Sequence, residues 1–154
     1  MADSANPTAG VVAPVAVRYR DLDTLGHVNN AVYASYLEIG RVAFLRAVVA
    51  RLGLPTSGHE FGVNVPFVLV ELTIGFKSPA YLGETLEVAV RMPSAGRTSF
   101  VFEYEVSEQT TGRLVATGRS VQVMIDPATG SKAEVPQDFL DAVEAVQGAP
   151  VERR

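Results

Sequence analysis

From Tyr19 to Tyr33 the chain reads YRDLDTLGHVNNAVY, gathering two carboxylates, one of its two histidines, two adjacent asparagines and a glycine in a protein otherwise rich in Val, Leu and Ala. A carboxylate such as Asp21 or Asp23 can attack an acyl carbon or activate water. The cluster runs straight into an apolar helical pattern. First-turn amides of a helix lack internal partners and sit at the positive end of its dipole. A carbonyl oxygen gaining negative charge is stabilised at such a place. An acid and a carbonyl-polarising helix end thus fall close together in the chain. The same residues have plainer uses. Asp23 can open an Asx-turn in DTLG, Asp21 can hold loop amides or face solvent, and His27 can be an ordinary loop histidine. Gly26 reads as a backbone position that other residues resist.

Other chemistries find little footing. There is no GxSxG elbow, glycine-rich phosphate loop or HExxH motif. With two histidines and no cysteine, disulfides, a thiol nucleophile and a dedicated metal site are not expected. His59-Glu60 is a looser pair in a later loop, and Glu38 with Arg41 reads as a helix-face ion pair. The net charge of −4, with Lys77, Arg91, Arg97, Arg113 and Arg119 scattered as solvated charge, argues against a nucleic-acid partner. Two or three of these cations could still meet an anionic ligand. The apolar run Ala31 to Leu52 is broken by Glu38, Arg41 and Arg46, so it reads as a buried helix and no membrane partner is expected. A cytoplasmic location fits the missing cysteines.

The elements that must hold the cluster follow from periodicity. Residues 1–14 read as a flexible tail and 15–154 as one domain. Val15 to Arg20 reads as a short strand. Ala31 to Leu52 reads as a helix capped by Asn29 or Asn30 and closed by Gly53, with a broad apolar face. Four longer stretches alternate with a period of two. In VLVELTIGFK, Val68, Val70, Leu72, Ile74 and Phe76 share a face; ETLEVAVRM, TSFVFEYEV and LVATGRSVQVMI repeat the pattern. Their short Gly- or Pro-bearing linkers suit antiparallel connections. Pro136 opens a short C-terminal helix. The fold class expected is α+β: a long central helix wrapped by an antiparallel sheet of about five strands. A long strand edge left unpaired calls for dimerisation.

VRYRDLDTLGHVNNAVYASYLEIGR resembles the signature of hot-dog-fold acyl-CoA thioesterases of the 4-hydroxybenzoyl-CoA thioesterase type, and IGFKSPAYLGETLEVAVRMPSAGRTSFVFEYEV resembles the same family's strand, turn and hairpin. D-x-D-x-x-G-H-V-N-N-x-x-Y with the later P-A-x-x-G-E covers most of Val15 to Ile125. The resemblance implies a hot-dog fold and puts the catalytic carboxylate on Asp23, as nucleophile or general base. It puts the oxyanion amide on or near Asn30, with Gly26, His27 and Asn29 shaping the loop and Tyr33 one turn into the helix. Some relatives carry histidine at the position of Asn30, so this chain either does without that group or uses His27. The resemblance further implies a homodimer or homotetramer with sites at subunit interfaces and no metal or organic cofactor, and it places CoA phosphates near Arg97, Thr98 and Ser99.

The function expected is hydrolysis of an acyl-CoA or acyl-carrier-protein thioester. The alternatives are an acyl-thioester hydratase or dehydratase, whose usual histidine–acid pattern is not found, and a non-catalytic acyl-binding protein in which Asp23 merely caps a turn. Tyr36, Phe44, Val63, Val65 and Phe67 line an acyl pocket or, more simply, pack the core.

Overall fold

The alternating stretches do become strands. The computed structural model describes residues 10–53 and 65–154; His59, Glu60 and Val63 lie outside them. The chain forms β1 (Val12–Ala16), α1 (Tyr33–Arg51), β2 (Phe67–Phe76), β3 (Thr85–Ala95), β4 (Ser99–Glu108), β5 (Leu114–Met124), α2 (Gln137–Gln147) and the two-residue β6 (Glu152–Arg153). The sheet order is β1-β3-β4-β5-β2, antiparallel throughout except for β6, which runs parallel to β3. α1 packs chiefly on β3, β1 and α2. No helix among the described residues is long and apolar enough to cross a membrane.

On β3 and β4 the expected alternation holds. Leu86, Val88, Val90 and Met92, and Phe100, Phe102, Tyr104 and Val106, are all buried in the core that α1 shares. Phe100 sits edge-on to Phe67, Phe102 and Phe139 at centroid distances of 5.5 to 5.7 Å, joining β2, β4 and α2 in one core. From α1, Tyr33, Tyr36, Leu37, Gly40, Phe44, Leu45, Val48 and Val49 are buried.

Two expectations need correction. The first strand is Val12–Ala16, not Val15 to Arg20, so the flexible tail cannot reach residue 14. Pro14 is accommodated because β1 is an edge strand, where one missing N–H need not break the ladder. Tyr19–Asp21 forms a 3-10 turn instead. On β2, the register shifts between Leu69 and Glu71. The extra residue, Val70, reverses the parity of the strand. Phe67 and Leu69 pair with the inward Met124 and Gln122, while Leu72, Ile74 and Phe76 pair with Ser120, Gly118 and Ala116. Val68 and Val70 therefore leave the inner face assigned to them.

Candidate active site

The opening cluster folds as a knot between β1 and α1. Asp23 and His27 close a tight turn, with the Asp23 N–H donating to the His27 carbonyl at 2.9 Å and the Gly26 N–H to the Asp23 carbonyl at 3.2 Å. Gly26 has φ of +84° and open space where a Cβ would sit, so it is there for its backbone alone. Asp21 is 2 % exposed. Its carboxylate accepts from the Arg18 N–H (2.9 Å), the Arg18 guanidinium (2.9 and 3.2 Å) and the Tyr36 hydroxyl (2.8 Å), and its carbonyl accepts from the Asn29 N–H (2.8 Å). Burial pushes this carboxyl up, but the hydrogen bonds from Arg18 and Tyr36 outweigh it and bring it down to about 2. Burial and the nearby Asp21 charge raise the Tyr36 phenol. Asp21 is thus a fixed anion that ties the loop to α1. Nothing in the local pattern marks Arg18 and Tyr36 as its partners, because one lies across a turn and the other is in the first turn of α1, beyond the whole loop.

Asp23 is built differently. Its Oδ1 accepts from the Leu25 N–H at 2.8 Å, which is an Asx-turn, and its Oδ2 lies 3.3 Å from His27 Nδ1. Its side chain keeps a quarter of its exposure. One oxygen holds the loop while the other faces the imidazole.

The helix start is also fixed locally. Asn29 caps a 3-10 turn, Asn30–Val32, by accepting from the Ala31 N–H at 3.0 Å; α1 follows at Tyr33. Among the described residues the Asn30 N–H donates to no acceptor. Asn30, His27, Val28 and Tyr33 line a cavity of about 240 Å³ with Phe76, Lys77, Ser78 and Pro79. Burial raises the Tyr33 phenol, opposed by the charge of Arg113. The four residues from the β2 end were absent from the sequence expectation. Their signal was there, since P-A-x-x-G-E begins at Pro79. The Val28 N–H donates to the Ala80 carbonyl at 2.9 Å and His27 bridges to Tyr81, so the two halves of the signature meet.

The structure thus brings Asp23, Gly26, His27, Asn29, Asn30 and Tyr33 into one locality, although Asp23 pairs with His27 and is not itself among the residues lining the cavity. It does not bring Arg97, Thr98 and Ser99 there within one chain. They lie at the β3–β4 hairpin, the other end of β3 from the Tyr81–Glu84 turn, and Arg97 pairs with Glu134 at 3.3 Å. A larger cavity, about 450 Å³, lies along the sheet and takes in the cross-strand residues Thr73, Arg91, Glu103, Thr117 and Arg119. Its Arg91 and Arg119 are already paired with Glu103 and Glu71. Among the described residues no three His, Asp or Glu side chains gather to hold a metal.

The sequence model of the thioesterase-like superfamily matches residues 17–143. A chloroplastic acyl-acyl carrier protein thioesterase of Arabidopsis thaliana is 28 % identical over 111 residues, 71 % of this chain and 55 % of that protein, so the chain spans about half its length. The acyl-CoA thioester hydrolase YbgC of Escherichia coli is 27 % identical over 135 residues, 82 % of this chain and 90 % of that one. A thioesterase of Thermus thermophilus, solved with coenzyme A and Zn, superposes with a TM-score of 0.77 at 30 % identity over 94 % of this chain and 97 % of that one. Sheet order, helix-start loop and these likenesses agree: the chain belongs to the thioesterase-like superfamily and has the hot-dog fold.

Proposed function

We propose that this thioesterase hydrolyses an acyl-CoA to the free acid and thiol, with Asp23 as nucleophile or general base and the Asn30 N–H as oxyanion donor. The observation that carries the reading is Asn30, whose N–H donates to no acceptor among the described residues, lining a cavity together with His27, whose Nδ1 lies 3.3 Å from the Asp23 carboxylate. A thioester carbonyl placed there gains a hydrogen bond as its oxygen becomes negative, which lowers the barrier and not merely the ground state. By the nucleophilic route, Asp23 attacks the acyl carbon, the thiolate leaves and is protonated, and water cleaves the mixed anhydride. By the base route, water attacks directly and gives up its proton to the acid. Gly26, Asn29 and Tyr33 shape the substrate's place. The YbgC relative is named for acyl-CoA and the Thermus thioesterase holds coenzyme A, whereas the Arabidopsis relative is named for acyl carrier protein, so a carrier-protein thioester is the alternative substrate. A cytoplasmic setting belongs to the same proposal.

One observation favours a second assignment of roles. His27 lines the cavity and Asp23 does not, so the pair can act as a dyad in which Asp23 orients His27 and His27 takes the proton from water. The experiment is thiol release from acyl-CoAs of two to sixteen carbons and aryl-CoAs, using Asp23→Asn and His27→Gln. Asn at 23 keeps the Asx-turn acceptor, so its effect reads chemistry and not loop collapse. A loss of about 100-fold or more in Asp23→Asn alone supports the carboxylate routes. Equal losses in both variants support the dyad. Full activity in Asp23→Asn sinks both, and absence of release from every substrate points to the carrier-protein thioester, hydration or acyl binding.

The same proposal includes a homodimer or homotetramer joined along β2. On this edge strand Val68, Leu69, Val70 and Phe76 are all substantially exposed, and Phe76 also lines the cavity. Arg97, Thr98 and Ser99 then reach a CoA only as a contribution to another subunit's site.

A further inference from the structure

We propose that Arg113 is a positioning residue for this site, acting at a distance from the substrate by clamping segment 78–84 against the turn that carries His27 and Val28. The inference rests on the thioesterase reading above. Arg113 lies in the turn between β4 and β5, is not among the cavity-lining residues, and reads from sequence as ordinary solvated charge. In the fold its Nη2 lies 2.9 and 3.0 Å from the two Glu84 carboxylate oxygens and 3.1 Å from the Pro79 carbonyl, and its Nε donates to Ser78 Oγ at 3.2 Å. One guanidinium therefore grips both ends of the segment. Glu84 in turn accepts from the Tyr81 N–H at 2.8 Å, and Ser78 Oγ donates to the Leu114 carbonyl at 2.7 Å. Between the gripped ends, the Ala80 carbonyl takes the Val28 N–H and Tyr81 bridges to His27. Ser78 and Pro79 themselves wall the cavity.

An isolated surface ion pair would stabilise little. This one is two-thirds buried on the arginine side and shared among three residues of a single segment. It gives P-A-x-x-G-E a physical role: its proline and alanine offer carbonyls to Arg113 and Val28, and its glutamate anchors the guanidinium. The consequence falls on Asn30, two residues beyond Val28. An oxyanion donor must be held to a fraction of an ångström, and misplacement by about 1 Å is worth as much as 100-fold in rate.

The test compares Arg113→Gln, Arg113→Lys and Glu84→Gln in steady-state thiol release, and measures amide hydrogen exchange at Val28. Arg113→Gln is expected to lower kcat about tenfold or more with KM changed less than about threefold. Lysine recovers part of this, since one ammonium can serve Glu84 and Pro79 but not Ser78 as well. Val28 exchange should quicken in Arg113→Gln while amides of β4 stay protected. Wild-type kcat in Arg113→Gln overturns the inference. So does a loss of kcat with Val28 exchange unchanged, or exchange that quickens throughout the sheet, which marks a general loss of stability. If the wild type releases no thiol from any acyl-CoA, the acyl-CoA reading fails, and local quickening at Val28 alone still decides whether the clamp exists.

Discussion

Asp21 and Asp23 are two residues apart, have the same side chain, and are held in opposite ways. Asp21 has every oxygen committed to Arg18 and Tyr36; Asp23 commits one to a turn and keeps the other beside His27. Sequence distinguishes them only through the family signature, because local spacing allows either to be the free acid. What it cannot show is the long-range partner, Tyr36. The difference has a measurable consequence in acid. The Asp21 carboxyl lies at about 2 when folded against an ordinary 3.8, so its contribution to stability is full above about pH 4 and is lost as pH falls through about 2. At about 1.4 kcal/mol per unit, this amounts to about 2 kcal/mol. Urea unfolding between pH 5 and 2.5 should show a steeper fall for the wild type than for Asp21→Asn, whose amide does not titrate. Parallel curves would mean that Asp21 keeps its anion no more tightly in the folded chain than in the unfolded one.

At the scale of elements, what was legible was whatever one strand or helix decides for itself. The alternation in β3 and β4, the Asn29 cap and the Gly26 turn are local properties, and all are found. The faces of β2 do not follow from its own alternation because a bulge is a property of two paired strands. Likewise, Pro14 reads as tail until β1 is known to be an edge, where a proline is acceptable. Gly40 carries the same lesson. In the middle of α1 a glycine lowers helix stability by about 1 kcal/mol relative to alanine. Yet a Cβ at Gly40 would come within 2.4 Å of Val88 Cγ1 and 3.0 Å of Val90 Cγ2, and Val88 is fully buried with nowhere to go. Overpacking of this kind costs about 1–3 kcal/mol. Gly40→Ala should therefore destabilise despite the better helix former, by up to about 2 kcal/mol in the unfolding free energy from urea denaturation. In a Val88→Ala background the same change should turn neutral or stabilising. A stabilised single variant would show that α1 can lift off β3 at little cost.

For the whole molecule, the two sheet edges are unequal. β1 is five residues long, carries a proline and pairs along all its length with β3. β2 is ten residues long, pairs among the described residues only with β5, and leaves Val68 at 45 % and Val70 at 58 % exposure. Sequence alone calls for a covered edge without saying which; the strand order picks β2. A long edge with exposed branched apolar residues is a pairing surface, which is what the proposed dimer uses. A second copy meeting it antiparallel would continue the sheet and cover Val68 and Val70. Its arrival would also alter the surroundings of Phe76, which stands at the end of the same strand, is half exposed, and forms one wall of the cavity. Assembly and activity should therefore move together. Light scattering at micromolar concentration should give at least twice the monomer mass. Val68→Lys with Val70→Lys, neither of which lines the cavity, should give monomers whose far-ultraviolet circular dichroism is unchanged. If the site is completed across this edge, kcat/KM in those monomers falls at least about tenfold. A wild-type monomer with full activity would sink the dimer outright. Active monomers of the double variant would leave the edge as an assembly surface and return the whole of the chemistry to one chain.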